Sequence, residues 1–128
     1  MKKIIILLLF VSTYHMVFSQ TNNPIETTPN WQKLAGSSLI GIGHAVASAG
    51  DVNGDGYEDI IVSSRSFNNY SGKVWVYHGS STGLETAAAW VETGQQQACR
   101  YGSDIDGNLD VNNDGYDDIL VSAPLWSS

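Results

Sequence analysis

Two nine-residue stretches of the chain carry oxygen-bearing side chains at alternate positions. Residues 51–59 read Asp-Val-Asn-Gly-Asp-Gly-Tyr-Glu-Asp, and residues 110–118 read Asp-Val-Asn-Asn-Asp-Gly-Tyr-Asp-Asp. Both fit the pattern D-x-[DN]-x-D-G-x-x-D, in which the glycine at the sixth position permits a sharp turn. Carboxylate and amide oxygens in a tight loop are the donors with which a hard divalent cation replaces its water shell. The pattern therefore indicates two cation-binding loops.

The similarity between the two stretches extends beyond the loops, at a constant spacing of 59 residues. The positions that align without a gap include Trp31 with Trp90, Gly43 with Gly102, Val46 with Ile105, and residues 60–63 with residues 119–122. A fixed period on this scale is typical of proteins in which one supersecondary unit buries its apolar face by stacking on the next. The chain is therefore interpreted as a series of repeated structural units.

Short runs with strand-like alternation flank each loop and are separated by glycine-, asparagine- and serine-rich turns. In the first unit the predicted strands cover residues 44–49, 59–64, 73–78 and 87–92. No segment has a convincing helical period, so four strands per unit are expected. The second unit contains two of these strands before Ser128. Because incomplete units leave sheet edges open, we expect a fragment of a larger protein or a chain that assembles with others.

The N-terminal residues have the features of an export signal. Lys2 and Lys3 precede the apolar run 4–11, and small or apolar residues lead to Ser19, so residues 1–19 are predicted to be a signal peptide. The run is shorter than the roughly 20 residues that a membrane span requires, so no span is expected. The protein is predicted to be secreted or held at the cell surface. Residues 20–40 are interpreted as a polar leader that ends in the remnant of a preceding strand.

Composition excludes several classes of function. The formal net charge of −7 makes nucleic acid a poor partner. The single cysteine, Cys99, cannot form an internal disulfide. After the predicted signal peptide the only histidines are His44 and His78, and no serine stands in a nucleophile motif. The chain is therefore predicted not to be an enzyme.

The segments that open and close each unit resemble the FG-GAP repeat of integrin α-subunit β-propellers and their bacterial relatives. Ile42-Gly43 stands where Phe-Gly is usual, Ser122-Ala123-Pro124 replaces Gly-Ala-Pro, and residues 72–79 match the closing segment. The resemblance runs from Trp31 to the C-terminus. It implies an all-β fold of four-stranded antiparallel propeller blades in an incomplete propeller, with repeat 1 over residues 41–98 and a truncated repeat 2 over residues 99–128.

The same resemblance implies two structural Ca²⁺ sites, with side-chain oxygens from loop positions one, three, five and nine and a backbone carbonyl from position seven. The implied ligands are Asp51, Asn53, Asp55, Tyr57 and Asp59 in the first loop, and Asp110, Asn112, Asp114, Tyr116 and Asp118 in the second. Calcium suits these donors because it accepts six to eight oxygens at flexible angles, whereas magnesium requires near-octahedral geometry.

The loop sequences allow two other interpretations. Aspartate, asparagine and glycine favour turns without any metal, so each stretch could be a solvated turn. An EF-hand loop begins in the same way but takes its last ligand from position twelve, which is Val62 or Val121 here. Those apolar residues exclude the EF-hand. Asp104 and Asp106 stand where repeat 1 has alanines, so that face is expected to be open to solvent or to hold an extra cation.

The resemblance implies non-catalytic recognition or cell adhesion outside the cell, with an extracellular protein or glycan as ligand. The contacting loops would be residues 65–71 and 93–100, on the face opposite the cation loops. One alternative is a non-catalytic propeller module of a secreted polysaccharide-degrading enzyme. Another is a carbohydrate-binding lectin that uses Tyr70 or Trp75, although the aromatic residues at repeat positions are better explained by packing between blades.

Overall fold

A computed structural model describes residues 31–33 and 41–127 of the chain. The predicted signal peptide and most of the predicted leader lie outside these residues. Within the described ranges, no helix is long and apolar enough to cross a membrane. The described chain folds into antiparallel β-sheets, which confirms the predicted all-β class of partial propeller blades.

The first sheet contains strands β1 (Val46–Gly50), β2 (Asp59–Ser64), β3 (Lys73–Tyr77) and β4 (Trp90–Thr93). They lie in the order β1-β2-β3-β4, and each is antiparallel to its neighbour. The second sheet pairs β5 (Ile105–Leu109) with β6 (Asp118–Val121), also antiparallel. The starts of β5 and β6 lie 59 residues after the starts of β1 and β2, so both hairpins follow the sequence repeat.

The predicted bounds are correct for β2. For β1, β3 and β4, at least one end lies at a different residue from the one predicted. Strand β1 begins at Val46 and not at His44, because the amides of Gly43 and His44 both donate to the carbonyl of Ser63, at 2.9 and 3.0 Å, and interrupt the regular ladder. One helical turn, α1 (Phe67–Tyr70), follows β2. It is not a regular right-handed helix, because Asn68 and Asn69 have φ of 45° and 54°.

Alternation along β3 divides the first sheet into two apolar faces. Trp75 and Tyr77 point to one face, where they pack with Trp31 and with Ile60 and Val62 of β2. The other face carries Ala49, Ile61, Val74 and Val76, and repeat 2 covers it with Ile105, Ile119 and Val121. Consecutive repeats therefore stack face to face, with side chains from both sheets forming the core between them.

Small residues allow the two sheets to approach each other closely. Gly107 of β5 is buried against β1, and a Cβ at that position would lie 2.7 Å from the Cα of Ala49. The counterparts of Ala45 and Ala47 in repeat 2, Asp104 and Asp106, are both exposed. The first of the two expectations for these carboxylates, a face open to solvent, fits this arrangement. The stacking of β5 on β1 also brings the two cation loops to the same end of the molecule.

Candidate metal-binding loops

The first loop joins β1 to β2, and its carboxylates accept hydrogen bonds from its own backbone amides. Asp51 accepts from the amides of Asp55 and Gly56, at 3.0 and 2.8 Å. The amide of Asp55 also donates to Asn53 Oδ1 at 3.1 Å, and that of Tyr57 donates to Asp55 Oδ1 at 2.9 Å. Side-chain oxygens at positions one, three and five are therefore all fixed from within the loop.

The second loop, between β5 and β6, repeats these hydrogen bonds one by one. Asp110 accepts from the amides of Asp114 and Gly115, at 3.1 and 2.9 Å. Asn112 Oδ1 accepts from Asp114 at 2.9 Å, and Asp114 Oδ1 accepts from Tyr116 at 3.0 Å. Gly56 and Gly115, at the sixth position of their loops, have φ of 88° and 91°. Only glycine adopts this conformation without strain, which explains the residue at that place.

The aspartate at position nine closes each loop. Asp59 Oδ2 accepts from the amide of Val52 at 3.0 Å, and Asp118 Oδ2 accepts from the amide of Val111 at 3.0 Å. Asp59 is also bonded through Oδ1 to the amide of Gly79, at 2.7 Å, and is fully buried. Burial raises the pKa of the Asp59 carboxyl, and the hydrogen bonds from Gly79 and Val52 oppose that rise.

The donor set of each loop fits calcium chemically. It consists of three carboxylates, one amide oxygen and one backbone carbonyl, and an ionised carboxylate has further lone pairs beyond those bonded to backbone amides. Among the described residues, no three His, Cys, Asp or Glu side chains are grouped so that they could hold a metal by themselves. The other implied donors are the Asn53 or Asn112 oxygen and the Tyr57 or Tyr116 carbonyl, and calcium accepts such neutral oxygens.

The segments predicted to contact a ligand lie at the opposite end of β2 and are bonded to each other. The amide of Ala98 donates to the carbonyl of Asn69 at 3.1 Å, and that of Arg100 donates to the carbonyl of Tyr70 at 2.8 Å. The Arg100 guanidinium lies 5.9 Å from the centre of the Tyr70 ring, and both residues are exposed. The two predicted loops therefore form one surface.

Trp31, Trp75 and Tyr77 are used for packing, but on the face of the first sheet that repeat 2 does not cover, so the predicted packing between blades is not seen for them among the described residues. Trp75 is buried, and Trp31 packs edge to face on Tyr77 with 5.1 Å between ring centres. The indole nitrogen of Trp31 donates to the carbonyl of Glu85 at 2.8 Å. Trp90, the counterpart of Trp31, is 40% exposed. A buried Trp75 is unavailable for stacking on a sugar, which removes one of the two aromatic residues considered for a lectin.

Asp117 is a functional candidate that becomes apparent only in the structure. Its carboxylate lies in the second loop but accepts from the amide of Asp51 in the first, at 2.8 Å. The only signal for it in the sequence is an acidic residue at position eight of both loops, Glu58 and Asp117. That signal was insufficient because the contact depends on how the two repeats stack.

The duplicated loops and the stacking of a four-stranded sheet on a two-stranded sheet agree with comparisons to known proteins. The family model of the FG-GAP repeat matches residues 43–77 and 102–128. The chain belongs to the FG-GAP repeat family. The family resemblance inferred from the sequence is confirmed, while the exact bounds of repeats 1 and 2 and the bacterial type stay predictions.

The FG-GAP chain is also similar to integrin α-subunits. It is 37% identical over 92 residues to integrin alpha-6 of Gallus gallus, an alignment that covers 71% of this chain. It is 42% identical over 91 residues to integrin alpha pat-2 of Caenorhabditis elegans, covering 67% of this chain. These alignments span only 8% and 7% of the two relatives, so the similarity concerns the FG-GAP repeats and not the complete integrin chains.

Proposed function

We propose that the FG-GAP chain is an extracellular β-propeller segment for non-catalytic recognition or cell adhesion, in which two Ca²⁺ ions stabilise the β1–β2 and β5–β6 hairpins. The observation that carries the proposal is the recurrence in both loops of three aspartates and one asparagine, whose side-chain oxygens are held at the same loop positions by backbone amides. Export by the predicted signal peptide, to the cell surface or beyond it, belongs to this proposal.

Calcium accounts for the acidity of the loops better than a metal-free turn does. The hydrogen bonds of these aspartates would also form in a metal-free turn, so the bonds alone do not require calcium. Each loop places aspartates at positions one, five and nine, which repel one another unless a cation is present. A bound calcium ion would supply that positive charge and connect the two strands of the hairpin.

The surface formed by residues 65–71 and 93–100 is the proposed recognition site. It exposes Tyr70 beside Arg100, and tyrosine and arginine are the residue types that most often carry binding energy at protein interfaces. Because the surface lies at the end of β2 remote from the cation loops, calcium would support the fold without contacting the ligand. An extracellular protein or glycan is the expected partner.

Calcium titration by calorimetry tests the metal part of the proposal. We expect two Ca²⁺ per chain, and one in each of the variants Asp55→Ala and Asp114→Ala, because each loses a side-chain ligand from one loop. Asp106→Ala is the matched control, since Asp106 is an exposed acid outside both loops. Unchanged stoichiometry in both loop variants would contradict the calcium sites.

Binding to arrays of immobilised extracellular proteins and glycans tests the recognition part. A ligand found in this way should lose most of its affinity for Tyr70→Ala and for Arg100→Ala, while both variants still bind two calcium ions. Simultaneous loss of ligand and calcium would show that the surface and the loops are not separate, and would contradict the division of roles.

A further inference from the structure

The two cation loops are in direct contact through Asp117. The amide of Asp51 donates to Asp117 Oδ2 at 2.8 Å, and the amide of Asp117 donates to the carbonyl of Asp51 at 3.2 Å. These reciprocal bonds join residues 66 positions apart, from different repeats. Asp51 is the first ligand position of the first loop, so its backbone is held by a residue of the second.

Close packing around these bonds leaves little freedom for either loop to move alone. A Cβ at position 50 would lie 2.2 Å from Asp117 Oδ2, and a Cβ at position 54 would lie 2.6 Å from the ring of Tyr116. Both places are occupied by glycine, so the side chains of Tyr116 and Asp117 fill space against the first loop. The first loop is therefore shaped in part by the second.

Asp117 stands between two of the proposed ligands of the second loop, Tyr116 and Asp118. A cation bound there would order this segment and with it the carboxylate that holds Asp51. We propose that Asp117 is a positioning residue for the first calcium site and couples the two sites, so that calcium in one loop raises the affinity of the other. This inference rests on the proposed function. Thermodynamic linkage requires the increase to be the same factor in both directions.

The chain provides a matched control for Asp117. Glu58 occupies the same position of the first loop, 59 residues earlier, and its side chain is exposed. Glu58→Ala removes one negative charge beside a loop, as Asp117→Ala does, without removing the bond to Asp51. Asp117→Asn separates charge from hydrogen bonding, because the amide oxygen can still accept from Asp51.

The experiment is a calcium titration of the full chain followed by the NMR signals of two amides. Gly56 donates to Asp51 and Gly115 donates to Asp110, at 2.8 and 2.9 Å, so each signal reports one loop. We expect Asp117→Ala to weaken calcium binding reported by Gly56 about fivefold, the lower end of typical coupling factors. Asp117→Asn should retain most of the affinity, and Glu58→Ala should match the unmodified chain.

Reciprocity provides the second readout. Asp114→Ala, which disables the second loop, should weaken the Gly56 response by the same factor by which Asp55→Ala weakens the Gly115 response. Added to Asp117→Ala, the Asp114→Ala change should weaken the Gly56 response no further. A variant that only destabilised the fold would not weaken calcium binding in the two loops by equal factors. Nor would Asp117→Ala then abolish the effect of the Asp114→Ala change.

The outcomes separate this inference from the function on which it rests. If neither glycine signal responds to calcium in the unmodified chain, the proposed calcium function fails. If both respond but Asp117→Ala behaves like Glu58→Ala, the loops bind independently and the coupling is overturned. Equal losses in Asp117→Asn and Asp117→Ala would assign the effect to charge and overturn the positioning role.

Discussion

Asp59 shows how one residue can serve both a loop and the sheet behind it. The family resemblance implied that Asp59 is a ligand, and in the structure its carboxylate accepts hydrogen bonds from the amides of both Val52 and Gly79. The sequence pattern predicted its place in the first loop. It could not predict the contact with Gly79, which lies 20 residues away and depends on the pairing of β2 with β3.

The Asp59→Ala variant should be destabilised even without calcium. It leaves the amides of Val52 and Gly79 without their acceptor, and an unsatisfied buried donor costs about 1–3 kcal/mol. We expect a loss of roughly 2–4 kcal/mol in the free energy of unfolding, measured with urea in the presence of chelator. Asp55→Ala, at an exposed position, is the control. An equal loss in both variants would contradict the structural role of Asp59.

His44 should make stability depend on pH. Although the His44 side chain is exposed, the loss of part of its water shell, together with the charge of Arg65, lowers the pKa of His44, while the Ser103 carbonyl and Asp104 oppose this shift. The unfolded chain therefore takes up a proton near pH 6.5, before the folded chain does, so stability falls as pH decreases below that value. Between pH 7.5 and pH 5.5, the melting temperature should fall less for His44→Gln than for the unmodified chain or the His78→Gln control. Equal decreases in all three would contradict this assignment.

At the scale of a strand, β3 explains why the repeats have two different faces. Alternation of Val74 and Val76 with Trp75 and Tyr77 was visible in the sequence and is confirmed. Alternation could not reveal which face meets the next repeat, because both are apolar. The size of the side chains decides it: the face with valines, Ala47 and Ala49 lets repeat 2 approach closely.

The turn after β2 was predicted only as a loop. Asn68, Asn69 and Tyr70 have φ between 45° and 61°, a left-handed conformation that asparagine tolerates and tyrosine seldom adopts. Hydrogen bonds from Ala98 and Arg100 hold this turn in place. Because those partners come from another loop, local sequence signals were insufficient to predict it.

Tyr77 offers a test of packing at the centre of β3. Its hydroxyl is buried and has no hydrogen-bond partner within the part of the chain that the structure describes. Tyr77→Phe removes this unsatisfied group and keeps the ring against Trp31, so we expect the free energy of unfolding to rise by about 1 kcal/mol. Urea unfolding measures the change, with Tyr70→Phe as the exposed control. A loss of stability in Tyr77→Phe would show that the hydroxyl is satisfied.

At the scale of the whole molecule, the repeat period predicted stacked units, and the stacked sheets agree with it. The period could not predict the contact between Asp51 and Asp117, because it carries no information about the distance between sheets. A cation-binding loop, in contrast, depends on residues close together in sequence, so the local pattern indicated two such loops, and the family resemblance implied their ligands.

Calcium should stabilise the complete fold. Extracellular calcium modules commonly bind at about 0.1–1 mM, and a site of 0.1 mM contributes about 1.4 kcal/mol at 1 mM calcium. We expect circular dichroism melts to show a cooperative β-sheet transition that moves upward when chelator is replaced by calcium. The double variant Asp55→Ala, Asp114→Ala should lack the shift. A shift of the same size in that variant would place calcium elsewhere.

The close contact between Gly107 and Ala49 makes the stacking of the two repeats depend on their order along the chain. Repeat 1 presents alanines to the backbone of repeat 2, but repeat 2 has Asp104 and Asp106 at the positions of Ala45 and Ala47. If the order of the two repeats were exchanged, those carboxylates would meet a sheet that requires small neighbours. The two repeats therefore align in sequence but cannot exchange places. The constant period suggests equivalent repeats, whereas the interface between them depends on their order.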